Sequence, residues 1–166
     1  RGAGPPRRRH PLRDLHAPNN VLLAVNPSVE LLALKPDGAG DVAKTHVAWR
    51  AGDSVPDATS PVGNGEFVFT VTSSGVLTCL DVRDGKKVWE KDFEMEVQSS
   101  PAIVGDRLLV LGTKGVAVVV EAGRQFKEIA RSQLTDQFFA SPAFVNGCVY
   151  LRGETNLWCL GKTNHE

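Results

Sequence analysis

The chain has 166 residues, long enough for one domain with a substantial core, and 42% of them are hydrophobic against 23% charged. Lys plus Arg and Asp plus Glu balance at 19 each, so no global field favours nucleic acid or an anionic membrane, and nucleic acid is not an expected partner. There is no run of about 18 apolar residues for a transmembrane helix, and the N-terminus carries no apolar stretch of the signal-peptide type.

Residues 1–20 contain Arg7-Arg8-Arg9, Pro5-Pro6, Gly2 and Gly4 with little apolar periodicity, and are expected to be a disordered or junction segment. From residue 21 onward, short Val-, Leu- and Phe-rich runs are punctuated by Gly, Asp and Asn, the pattern of many short strands joined by tight turns. Strands are predicted at 21–25, 31–35 and 46–50. A second group is predicted at 67–71, 76–81 and 87–91, and a third at 102–104, 108–111, 116–121 and 126–132. The last strands fall at 149–152 and 156–160, and residues 161–166 read as a tail.

One phrase recurs through this series: Ser60-Pro61-Val62, Ser100-Pro101-Ala102 and Ser141-Pro142-Ala143, in steps of 40 and 41 residues. Trp49 and Trp89 keep the same period, which registers the opening group with the next. Self-similarity near 40 residues means stacked supersecondary units. Proline at the head of each unit suits the start of an edge strand, because it has no N–H to give a ladder. Asn64-Gly65, Asp84-Gly85 and Asn146-Gly147 are favoured hairpin pairs of type I′. The expected fold is all-β: a β-propeller of four-stranded antiparallel blades over residues 21–160. The first group lacks a clear first strand and the last lacks a fourth. About three and a half blades are therefore expected, part of a larger propeller whose remaining N-terminal blades lie outside this chain.

Side chains with chemical potential are sparse in pattern. The repeat serines Ser60, Ser100 and Ser141 have no His or Asp at matching spacing and no GxSxG elbow, and are read as serines that hydrogen-bond locally. Gly112-Thr113-Lys114-Gly115 fails the phosphate-loop pattern and reads as a hairpin turn. Cys79, Cys148 and Cys159 show no metal-binding spacing; Cys79 and Cys159 share one repeat position and fit small buried hydrophobes. The connections at 94–98 and 135–139 lie where propeller loops carry binding, and Phe138 and Phe139 are the expected partner contact, with at least one of them packed in the core.

The segment Gly75-Val76-Leu77-Thr78-Cys79-Leu80-Asp81, followed by Asp84-Gly85-Lys86 and then Trp89, resembles the PQQ-like, or quinoprotein-like, β-propeller repeat family, and the likeness spans about residues 21–160. In that family the Trp of the outer strand docks on the next blade, which implies this role for Trp49 and Trp89. It likewise implies structural repeat roles for Asp81, Gly85 and the Ser-Pro pairs. The repeat at 100–134 departs from the pattern, with Glu121 in place of Asp81 and Ile129 where Trp is expected, so a weaker docking contact is expected there. PQQ dehydrogenases of this type also carry a vicinal disulfide, a stacking Trp, carboxylate and amide calcium ligands and a catalytic Asp. This sequence has no adjacent Cys pair, and its acidic residues mostly fall in turns and outer strands. No catalytic, cofactor-binding or metal residues are therefore assigned, and no cofactor is expected in these blades. The resemblance implies a non-catalytic scaffold or protein-binding module of the bacterial cell envelope, periplasmic or secreted, with a protein partner. The alternatives are the C-terminal part of a PQQ-dependent alcohol or sugar dehydrogenase, and a sensor module joined to a kinase.

Overall fold

The computed structural model describes residues 21–161 apart from residues 43 and 54. The expected leader over 1–20, and all of the expected tail except Gly161, lie outside the described residues. Blade 1 is β1 (Leu22–Asn26), β2 (Glu30–Leu34) and β3 (Val47–Ala51). Blade 2 is β4 (Val62–Gly63), β5 (Phe67–Val71), β6 (Val76–Asp81) and β7 (Lys87–Asp92). Blade 3 repeats it with β8 (Ala102–Val104), β9 (Arg107–Leu111), β10 (Val116–Glu121) and β11 (Glu128–Gln133). Blade 4 is β12 (Ala143–Val145), β13 (Cys148–Arg152) and β14 (Leu157–Gly161). Each sheet is an antiparallel meander with strands in sequence order, and no helix occurs among the described residues. These are the blades of a β-propeller. Strand bounds differ from the sequence expectation by one or two residues, except β11, which starts two residues later because the turn before it is longer.

Pro61, Pro101 and Pro142 each stand one residue before the short inner strand of their blade, at a sheet edge where the missing donor costs nothing. The middle strands are buried on both faces, so β5 reads as a continuous Phe-Val-Phe-Thr-Val run without the polar alternation of a half-wet sheet. Alternate residues serve opposite seams. Val68, Leu80 and Val82 join Leu23, Leu31, Ala33 and Trp49 between blades 1 and 2. Phe67, Phe69, Leu77, Cys79 and Phe93 join Leu108, Val110, Val118 and Val120 between blades 2 and 3, with Trp89 packed against them. Between blades 3 and 4 the buried set contracts to Leu111, Ala117, Phe138 and Leu151.

The pairing of third and fourth strands slips at the same place in three blades, between Ala33 and Leu34, Cys79 and Leu80, and Val119 and Val120. Each slip is a bulge in the outer strand, at Ala48, Val88 and Ile129. Ile129 is therefore not the counterpart of the tryptophans. Ala33 pairs with Trp49, Cys79 with Trp89, and Val119 with Ala130, so Ala130 holds the tryptophan position and Ile129 is bulged outward, 39% exposed. The extra residue between β10 and β11 moves the register by one.

The turns also differ from expectation at two places. Asn146 and Gly147 both have positive φ, as a type I′ turn requires, but at Asn64-Gly65 and Asp84-Gly85 only the glycine does. Asn64 instead uses its side chain. Its Oδ1 accepts from the backbone N–H of Phe67 at 2.9 Å, and its Nδ2 donates to the Ala122 carbonyl of blade 3 at 2.8 Å.

Candidate functional site

The connections between blades and the turns between second and third strands share one face of the propeller, here called the connection face. Each connection is stitched to the turns beside it. The Val97 N–H donates to Ser73 O at 2.9 Å and the Phe138 N–H to Thr113 O at 2.9 Å. In return Thr113 N–H donates to Glu96 O at 2.8 Å and Glu154 N–H to Gln137 O at 2.9 Å. In the first connection a side chain does this work: Asp57 accepts from the backbone N–H of Ser73 at 2.8 Å and from its hydroxyl.

The two phenylalanines of the last connection part company. Phe138 bridges to Gly153 and is fully buried, its ring 6.5 Å from Trp158. It is a core residue and is withdrawn as a partner contact, because the bridge turns its side chain between the sheets. Phe139 points the other way and is 49% exposed, beside a shallow depression formed with Ala140, Arg152, Gly153 and Glu154. A comparable depression lies one seam earlier, between Ser73-Ser74 and Glu94-Met95-Glu96.

Asp136 holds the frame under Phe139. Its carboxylate accepts from the backbone N–H groups of Gln137 at 2.9 Å, Glu154 at 3.1 Å and Asn156 at 3.0 Å. It also accepts from the Thr155 hydroxyl at 3.1 Å and the Trp158 Nε1 at 3.2 Å. Desolvation pushes this carboxyl up, but the bonds from Gln137, Trp158, Asn156 and Thr155 outweigh it and hold it below the usual carboxylate range. No single residue type near 136 announces this ring of donors, and it escapes a reading of the sequence. Trp158 thus docks within its own blade and its connection.

The Ser-Pro repeat forms a belt near the propeller axis. The Ser60 N–H donates to the Ser100 hydroxyl at 2.9 Å, and the Ser100 N–H to the Ser141 hydroxyl at 3.0 Å. The serines therefore bond across blades, where local bonds were expected, because the inner strands converge there. The residue before each serine matters as well. Thr59 and Ser99 are buried and donate their hydroxyls to Val71 O at 2.6 Å and Leu111 O at 2.8 Å, while Ala140 takes the same place before Ser141.

The tryptophans sit in the seams. Trp49 Nε1 donates to Val82 O at 2.7 Å and Trp89 Nε1 to Gly123 O at 2.9 Å, each in the next blade. Gly85 has φ of 70°, and a Cβ there would lie 2.4 Å from the Trp49 ring. It therefore serves both the left-handed turn and the docking slot. Asp81 closes this turn by accepting from Arg83 Nε at 2.9 Å and Nη2 at 2.6 Å, with Arg124 of blade 3 at 3.7 Å. The Arg83 side-chain bond, then its backbone N–H, hold the Asp81 carboxyl well below the usual range. Ala130, at the third seam, brings no indole.

The three cysteines are free thiols. Burial, then the Asp81 charge, push the Cys79 thiol up to about 12, which leaves it a small inert hydrophobe. Cys159 is exposed, against expectation, because no strand among the described residues covers its face of β14. Among the described residues no three His, Cys, Asp or Glu side chains cluster as metal ligands, and no helix is long and apolar enough to cross a membrane.

The fold is similar to that of BamB from Moraxella catarrhalis, with a TM-score of 0.70 at 18% identity, covering 86% of this chain and 43% of that one. It is also similar to the quinohemoprotein alcohol dehydrogenase ADHIIG from Pseudomonas putida HK5, with a TM-score of 0.62 at 13% identity over 80% of this chain and 26% of that one. The computationally designed Ika4 protein gives 0.63 at 9% identity, covering 86% and 85% of the two chains. The chain thus spans less than half the length of the Moraxella protein. No curated protein sequence matches it significantly. A family model described as outer membrane protein assembly factor BamB matches residues 38–126, more than half of the chain. With its Ser-Pro repeat, docking tryptophans and four antiparallel blades, the chain belongs to that family of PQQ-like β-propeller repeats.

Proposed function

We propose that these blades are a non-catalytic protein-binding scaffold of the bacterial cell envelope, periplasmic in location, which receives a component of outer-membrane protein assembly on its connection face. The observation that carries this reading is Phe139: a half-exposed aromatic ring in a shallow depression, rimmed by Arg152 and Glu154 and held on a frame bonded through Asp136. An apolar anchor within a polar rim is the usual make-up of a binding hot spot. Further blades outside this chain complete the propeller in this reading, and these four hold no cofactor. Support for the last point comes from the donor set, since the cysteines are not adjacent and the carboxylates of Asp81 and Asp136 are committed to structural bonds.

A photo-crosslinking residue at position 139, compared with one at Asp106 on the opposite face, tests the proposal. Crosslinks from 139 to an outer-membrane assembly component, lost in Arg152→Glu, are expected. Equal crosslinking from both positions overturns the face, and stoichiometric quinone absorbance with dehydrogenase activity overturns the scaffold. The second reading, the C-terminal part of a PQQ-dependent dehydrogenase, rests on likeness of fold to the Pseudomonas enzyme.

A further inference from the structure

The seam between blades 3 and 4 is built on the same strand positions as the seam before it, but with smaller side chains. Where blade 2 presents Phe69, Leu77, Trp89 and Phe93, blade 3 presents Leu109, Ala117, Ala130 and Leu134 in equivalent register. The result is a cavity of about 450 Å³, lined by Leu109, Ala117, Val119 and Ala130 on one sheet and by Val149 and Leu160 on the other. Folded interiors carry few voids larger than a water molecule, and an apolar cavity of about 150 Å³ stays dry and takes up benzene. A volume of this size lies within the range of small-molecule sites.

Two features of the seam select the occupant. Packed sheets enclose a flat slot, and in the two preceding seams that slot holds an indole whose N–H meets a carbonyl of the next blade. The cavity wall also carries one charged residue, Arg107. Its partner is the neighbouring Asp106 at 3.3 Å, with both side chains largely exposed, so the pair is screened and exchanges readily for another anion. We infer that the seam between blades 3 and 4 binds a small bicyclic aromatic acid, its ring in the slot left by the missing tryptophan and its carboxylate at Arg107.

Titration of the protein with indole-3-acetate, followed by calorimetry and by the methyl NMR signals of Leu109, Val119, Val149 and Leu160, tests this. Saturable binding is expected, with shifts confined to those methyls. Ala130→Trp should fill the slot from within, abolishing binding and raising Tm. Arg107→Ala should weaken the acid by about two- to fivefold, the worth of one exposed ion pair, and leave uncharged indole unaffected. Should Ala130→Trp not fold, Ala117→Leu, which restores the side chain found at Leu77, must weaken binding. Binding unchanged in the filled variants overturns the site. So does the absence of saturable binding, or decanoate binding as tightly as the aromatic acid.

Discussion

The second and third seams of this propeller have the same strands, turns and connections, yet one is packed and the other is hollow. Between blades 2 and 3, Phe69, Trp89, Phe93 and Phe126 form a chain of aromatic contacts with ring centroids 5.5 to 6.2 Å apart. Between blades 3 and 4 the equivalent positions are aliphatic or Ala, and what closes the seam is Phe138, clamped from the connection face by Trp158 and Asp136. Backbone hydrogen bonding sets the geometry of a blade pair, and side-chain volume decides separately whether the space is filled. A propeller therefore tolerates an underpacked seam where its connection is well bonded.

The largest expected effect comes from making the packed seam resemble the hollow one. Trp89→Ala should cost about 3–5 kcal/mol by chemical denaturation, because the indole leaves both a cavity and an unmet carbonyl at Gly123. If the loss is under about 1 kcal/mol, packing is not what separates the seams. Gly85→Ala attacks the first seam from the other side. The new Cβ strains a φ of 70° and meets the Trp49 ring, and a loss of about 2–4 kcal/mol is expected in the same measurement. Ser99→Ala strips the hydroxyl that Ala140 already lacks in the next unit, leaving Leu111 O without that donor, and should cost about 1–3 kcal/mol.

The smallest effect separates the seams by pH. Asp81 braces the packed seam and Asp136 the connection of the hollow one, and both carboxyls titrate below their ordinary value of about 3.9. Their contribution is complete above that value and is lost as pH falls towards the folded-state values. Thermal melts between pH 3 and 7 should show Tm falling below about pH 4. Asp136→Asn should flatten that decline. An undiminished acid decline in this variant would remove Asp136 from the account.

Much of the architecture was legible because it repeats. The Ser-Pro spacing, the apolar runs and the Trp49–Trp89 period are consequences of stacking one meander on the next, and they led to the blades nearly strand by strand. What stayed hidden depended on register or on bonds between distant residues. Ile129 looked like the tryptophan counterpart because sequence spacing cannot show that a turn has gained a residue and that a bulge has absorbed it. Phe138 and Phe139 are the same residue type side by side, and only the bridge to Gly153 determines which one is buried. The Asp136 ring gathers donors from up to 22 positions away, a convergence without a local pattern.

The serine belt has a consequence for how such a chain changes length. Donor and acceptor of each bond come from the same three-letter phrase in successive units, one unit giving the N–H and the next the hydroxyl. A duplicated unit therefore arrives with the means to join both neighbours at the axis, and a deleted unit leaves two ends that still match. Contacts of this kind act only between adjacent copies, as in other repeat proteins. Blade number can thus drift without inventing a new interface, while each seam is free to lose or gain side-chain volume on its own.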